Sequence, residues 1–152
     1  MKSLIFAVVL ILQITGVTAA IVPPREVQNL LRPILDLCAE AEQSQGEHQN
    51  AAFYQVAKLT GRLFQMRTKA ADEALVVLMN FYIGESPGED LLHQVTVRGK
   101  RMLPLLLKYR NAHVSFSQRK YPSSILLAHD VKKEFFENAI ESVTAGKVFG
   151  ED

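Results

Sequence analysis

The chain has 152 residues, with 17 lysines and arginines, 16 acidic residues and a formal charge of +1. This balance lacks the excess of cationic residues typical of nucleic-acid-binding proteins, so no nucleic-acid partner is expected. The length suits one domain with its own core, and a single cysteine excludes a disulfide within the chain.

Residues 1–20 have the layout of a secretory signal peptide. Lys2 precedes an unbroken apolar run over residues 4–12, and small residues follow. The −3 and −1 positions are small for a cut after Ala19 and equally for a cut after Ala20. Because the apolar stretch falls short of the roughly 20 residues that span a bilayer, an uncleaved anchor is the weaker alternative. We therefore expect cleavage and export, to a periplasm or out of the cell.

A first amphipathic helix is predicted after Pro23 and Pro24. Its apolar face is formed by Val27, Leu30, Leu31, Ile34, Leu35, Cys38 and Ala41. Pro33 predicts a kink, or a main helix that starts near this residue. Cys38 is expected to be a small hydrophobic core residue, and an intermolecular disulfide or a reactive thiol is the alternative.

Two further helices follow a polar linker at residues 44–50. The second helix is capped by Asn50 and runs to about Met66, and Gly61 in its interior indicates close packing. Its inward face is predicted to contain Phe53, Val56, Ala57, Thr60, Leu63 and Phe64. The third helix, capped by Thr68, covers about residues 69–83 and is apolar nearly all round, so it is predicted to be central to the core.

The second half of the chain also has helical periodicity. Gly84 is expected to end the third helix, and the next helix continues to about Arg98, where Gly99 interrupts it. A helix over residues 100–110 has Pro104 in its first turn, and residues 111–122 are predicted to be a loop. The last helix begins at Ser123 or Ser124 and ends at Gly146, and its inward residues are Leu127, Val131, Phe135, Ala139 and Val143.

These elements predict an all-α fold. Five or six helices joined by short turns favour a single compact domain over residues 21–146, arranged as an αα-hairpin bundle or a short helical array. Residues 147–152 are predicted to be a frayed tail.

The sequence predicts no catalytic residue, cofactor or metal site. It has no H-E-x-x-H, C-x-x-C, P-loop or paired zinc-ligand spacing. His93 follows Asp90 by three residues and could share a metal with it, but two ligands do not make a site. The adjacent acids Asp72 and Glu73 lie at a predicted helix start, where negative charge complements the helix dipole, and we favour that interpretation over acid–base catalysis.

Charge is segregated along the chain. No acidic residue occurs between Asp90 and Asp130, whereas this stretch has seven positive charges. These residues, which we call the basic segment, are Arg98, Lys100, Arg101, Lys108, Arg110, Arg119 and Lys120. The segment could contact an acidic protein, anionic lipid or an anionic wall polymer. Alternatively, acidic residues elsewhere neutralise it in the fold, and the candidates are Asp36, Glu40, Glu42, Glu134, Glu137 and Glu141.

The leading functional hypothesis is an exported, non-enzymatic helical protein that binds another protein, as an adaptor or an immunity-type inhibitor. The basic segment is its predicted contact surface. One alternative is a peripheral envelope protein that uses the same residues to bind anionic lipid or wall polymer. A second alternative is an enzyme with an unrecognised site.

Overall fold

The computed structural model describes residues 22–82, 86–117 and 123–151, and over these ranges the protein is all-helical. Its elements in chain order are α1 (Arg25–Gln43), α2 (Glu47–Gln65), α3 (Lys69–Phe81), α4 (Ser86–Val97), a 3-10 turn (Gly99–Met102), α5 (Leu103–Ser117) and α6 (Ser123–Thr144). The predicted all-α fold class is confirmed. The predicted signal peptide and Gly84 lie outside the described residues. No helix among those described is long and apolar enough to cross a bilayer.

Helices that are consecutive in the chain pack against each other in pairs. α1 lies against α2, α3 against α4, and α5 against α6, while α1 also packs on α3. The 3-10 turn and α4 contact α6 and so connect the last pair to the others. The arrangement is an αα-hairpin bundle, as the short connections in the sequence predict.

α3 forms the centre of the bundle, as predicted. Every residue from 71 to 80 is buried, and Leu75, Val77 and Met79 have no exposed surface. Thr68 caps the helix, because its hydroxyl accepts a hydrogen bond of 3.1 Å from the Ala71 amide. An apolar sequence on all sides of a helix thus corresponds to burial on all sides.

α1 runs through Pro33 rather than starting near it. It begins at Arg25, and the predicted apolar face is buried except for Leu30, which is partly buried. The face includes Cys38, whose sulfur lies 3.0 Å from the Tyr82 hydroxyl. Pro33 leaves the Asn29 carbonyl without its helical donor. Since Pro33 and Asn29 are exposed, water can satisfy that carbonyl, and the helix tolerates the proline.

α2 begins earlier than predicted and buries a different face. Gly46, at a φ of 63°, precedes its first residue, Glu47, so the predicted Asn50 cap lies inside the helix. Of the predicted inward residues, Leu63 is buried, whereas Phe53 is 52% exposed. Among the described residues, α1 covers one side of α2 and leaves the rest of the apolar face open.

Gly61 has no steric role within the described part of the chain. A Cβ atom at this position would meet no atom within 4 Å. We therefore expect Gly61→Ala to raise the free energy of unfolding by up to about 1 kcal/mol, because alanine favours the helix. Urea denaturation in dilute solution measures this change. A loss of stability would show that the glycine is needed for packing within one chain.

α5 is longer than predicted, and the expected loop at residues 111–122 is wrong over residues 111–117. Pro104 lies in the first turn, as predicted. The helix continues because Tyr109 and His113, one turn apart, are both buried against the bundle. A buried histidine made this segment look like a polar loop in the sequence.

α6 presents a core face slightly different from the prediction. Ala139 and Val143 are buried as expected, but Val131 is 51% exposed and Phe136 is fully buried. A spacing of four residues advances about 40° beyond a full turn at each step, so the predicted stripe rotates towards solvent over three steps. The side chain of Leu127 lies outside the described residues.

The segment after Gly146, predicted to fray, makes two hydrogen bonds with α4. The Phe149 amide donates to the Thr96 hydroxyl at 3.0 Å, and the Phe149 carbonyl lies 2.6 Å from His93 Nδ1. Because Thr96 is buried, this contact joins the segment to the body of the bundle.

Candidate partner-binding surfaces

Arg98, the first residue of the basic segment, is a buried structural residue. Its side chain is 1% exposed, and its guanidinium donates to Asp72 Oδ1. It also donates to the carbonyls of Phe64 at 3.0 Å and Leu63 at 3.3 Å. Arg98 therefore bridges the last turn of α2 and the first turn of α3. It supplies hydrogen-bond donors to the backbone carbonyls of α2 and a positive charge to the carboxylate of α3.

Burial of Arg98 and its ion pair with Asp72 shift the pKa of the guanidinium in opposite directions. Burial lowers the pKa of Arg98, whereas the hydrogen bond and charge of Asp72 oppose that shift. Arginine keeps its charge under such conditions. A partner cannot reach the side chain, so Arg98 does not belong to a contact surface.

Arg101 and Lys108 form ion pairs with two adjacent acids of α3, Asp72 and Glu73. Arg101 donates to Asp72 Oδ1 at 2.8 Å, and Lys108 Nζ lies 2.7 Å from Glu73 Oε1. Their side chains are 44% and 40% exposed, so both cations remain at the surface, and Arg101 shares its acid with Arg98. The two adjacent acids were predicted to complement a helix dipole, and the structure adds three cationic partners to that role.

Glu73 also organises buried polar groups between α3 and α5. The Tyr109 hydroxyl lies 3.3 Å from Glu73 Oε1, and burial together with this carboxylate raises the pKa of Tyr109. Further along the same two helices, His113 Nε2 lies 2.8 Å from Asn80 Oδ1. These groups are enclosed by the core and thus stabilise helix packing rather than form an accessible site.

Two further cations of the basic segment, Lys100 and Arg110, form no ion pair with an acid in the described part of the chain. Lys100 is exposed, and Arg110 donates to the Asn111 side chain at 2.9 Å. Arg119 and Lys120 lie outside the described residues. Three of the seven residues thus form ion pairs within the fold, through Asp72 and Glu73 instead of the six acids named from the sequence. Because Arg98 and Arg101 share the carboxylate of Asp72, one of these three positive charges is not balanced by the two acids.

No group of three or more metal-ligand residues occurs within residues 22–82, 86–117 and 123–151. His93 uses Nδ1 in its contact with the Phe149 carbonyl. A neutral imidazole with this nitrogen protonated donates to that carbonyl, so the geometry gives the ring a structural role.

Residues 84–88, GESPG, have the G-x-S-x-G spacing of a hydrolase nucleophile elbow, a signal that the prediction of no catalytic residue left out. That motif works where a strand turns sharply into a helix. Here Ser86, Pro87 and Gly88 form the first turn of α4, and the preceding element among the described residues is the helix α3, not a strand. The spacing therefore does not indicate a hydrolase site.

An open apolar groove lies between α2 and α4, and we call it the α2–α4 groove. It has a volume of about 380 Å³. Its lining consists of Phe53, Val56, Ala57, Thr60, Phe64, Tyr82, Pro87, Asp90 and Leu91. Five of these come from the α2 face that the sequence predicted to be buried. Asp90 supplies a charge at an otherwise largely apolar surface.

The groove extends along much of α2. Its α2 side runs from Phe53 to Phe64, which corresponds to about 16 Å or three helical turns. Tyr54, next to Phe53 on the helix, is 67% exposed and extends the apolar surface past the groove. A helical seam of this kind is normally covered by another helix.

Comparison with protein-family models, curated proteins and solved structures finds no match to this chain.

Proposed function

We propose that this protein is an exported, non-enzymatic helical module that binds another protein through the α2–α4 groove. Export is supported by the signal-peptide layout of residues 1–20. The binding role rests on one observation, which is the apolar face of α2 that no other described part of the chain covers. We place the contact surface at the groove rather than at the basic segment, because Arg98 is buried and Arg101 and Lys108 are held in ion pairs with Asp72 and Glu73.

The groove has the features of a recognition site for an amphipathic helix. Phe53 and Phe64 provide aromatic surface at its two ends, and Ala57 leaves room between them. Burial of such surface favours association by roughly 25 cal/mol per Å² of apolar area. Large aromatic anchors in a central pocket commonly dominate the binding energy of an interface.

The test compares baits that differ at one exposed apolar residue. Full-length chain is expressed in its own source with the N-terminal segment present, and bound proteins are identified quantitatively. We expect Phe53→Ser to lose a stoichiometric protein that the unchanged chain retains, because the substitution places a polar group in the groove. The purified complex should then protect α2 amides over residues 53–64 from hydrogen exchange.

Val131→Ser is the matched control, since Val131 is 51% exposed on α6 and lies outside the groove lining. This variant should retain the partner. Loss of the partner from both variants, or from neither, would contradict a groove-specific interaction. A bait that retains only lipid or wall polymer, released by salt, would favour the envelope-binding alternative.

A further inference from the structure

The face of α2 that contains Phe53, Ala57 and Gly61 is complementary in shape to the same face of a second copy. Phe53 protrudes four residues before Ala57, and Gly61 leaves an open position four residues after it. If two α2 helices cross in opposite directions at Ala57, Phe53 of each copy lies opposite Gly61 of the other. The small residue at the crossing allows close approach, and each aromatic ring occupies space that a side chain at residue 61 would fill.

The charges at the ends of α2 favour the same antiparallel orientation. Glu47 lies in the first turn, and Arg67 lies just past the last turn, each ten residues from Ala57. Antiparallel pairing therefore brings Glu47 of one copy towards Arg67 of the other at both ends of the contact. It also sets the two helix dipoles in opposition, whereas parallel pairing would bring like charges together.

The presence of a glycine at position 61 is better explained by a contact between two α2 helices than by packing within one chain. A glycine inside a helix weakens it by roughly 1 kcal/mol relative to alanine. No atom of the described chain lies within 4 Å of a Cβ built at this position. Close approach by a helix from outside gives the missing side chain a function.

We propose that the α2–α4 groove accepts α2 of a second copy of this chain, in an antiparallel pair with its twofold axis at Ala57. This inference rests on the proposed function and names the binding partner. The contact is isologous, so each α2 lies in the groove of the other copy and also meets Leu91 of its α4. Two copies thereby cover the seam that one copy leaves open.

Sedimentation equilibrium of the purified full chain over a wide concentration range tests the pairing. The mass is expected to rise towards twice that of one chain for the unchanged protein and for Val131→Ser. Phe53→Ser and Gly61→Leu are expected to stay monomeric with unchanged helix content by circular dichroism. The leucine favours the helix but occupies the space needed by the opposing ring.

Disulfide trapping tests the position of the axis. Ala57→Cys is expected to form a covalent dimer under mild oxidation, because the two thiols meet on the twofold axis. Gln55→Cys is the control, as Gln55 is exposed and lies about 200° round the helix from Phe53. Equal trapping at the two positions would overturn the predicted geometry.

A chain that keeps its monomer mass at every concentration would overturn the self-pairing. A dimer that persists in Phe53→Ser and Gly61→Leu would do the same. Neither result overturns the proposed function, which would still be supported by a different protein that the unchanged bait retains and the Phe53→Ser bait loses. The two proposals can thus fail separately.

Discussion

Replacement of Arg98 by alanine is expected to lower the free energy of unfolding by about 3 to 5 kcal/mol, the usual cost of removing one partner from a buried ion pair. The guanidinium satisfies Asp72 and the carbonyls of Leu63 and Phe64, and its side chain is 1% exposed. Its loss leaves the Asp72 carboxylate, which is 10% exposed, with a single cationic partner. Urea denaturation followed by circular dichroism measures the change.

Arg101→Ala is the matched comparison, because Arg101 binds the same carboxylate oxygen but is 44% exposed. An exposed ion pair contributes about 0 to 1 kcal/mol, so this variant should stay close to the unchanged protein. Equal costs for the two substitutions would contradict the structural role assigned to Arg98. For the same reason, a charge-reversal test of partner binding must leave Arg98 intact.

Leu78→Ala is expected to cost about 2 to 5 kcal/mol of stability, as do other large-to-small changes in a core. Leu78 is 1% exposed in the middle of α3, which is buried on every side, so little collapse can fill the space left. Thermal or urea denaturation gives the value.

Val131→Ala serves as the control for this core substitution, because Val131 is half exposed on α6. Surface substitutions of this kind usually change stability by less than about 0.5 kcal/mol. A cost under about 1 kcal/mol for Leu78→Ala would show that α3 is not the centre of the core.

Helical periodicity was sufficient to predict the fold class and the central helix. The burial of α1 follows from apolar residues at helical spacing, and the burial of α3 follows from an apolar run on all sides. The position at which α5 ends could not be predicted from helical periodicity. His113 is polar in the sequence, and only its contact with Asn80, on another helix, explains why it is buried.

The partners of the basic segment could not be deduced from local pattern. Arg98 and Asp72 are 26 residues apart in sequence, and any of the acidic residues could have supplied the carboxylate. Selecting Asp72 requires the relative placement of α2, α3 and the end of α4. Net charge and charge runs are summed along the chain, whereas neutralisation depends on distances in the fold.

The α2–α4 groove could not be predicted from the sequence either, because it also depends on how the helices are placed in the fold. The apolar face of α2 predicts burial but does not say what covers it. Within the described residues, α1 covers the side that includes Leu63 and leaves Phe53 half exposed. A face that is wider than the neighbouring helix can cover is visible only once the helices are placed.

The position of Arg98 has a consequence for how the bundle loses structure. The last turn of a helix is normally the first part to open, since its carbonyls have no partner within the helix. In α2 the carbonyls of Leu63 and Phe64 accept hydrogen bonds from the Arg98 guanidinium, which also binds Asp72 at the start of α3. The Met66 amide is a second donor to Leu63, and the Arg67 guanidinium is a second donor to Phe64. Opening of that turn would strip hydrogen bonds from a buried cation and weaken two helices at once. The junction of α2 and α3 is therefore expected to resist local fraying and to open only together with the core.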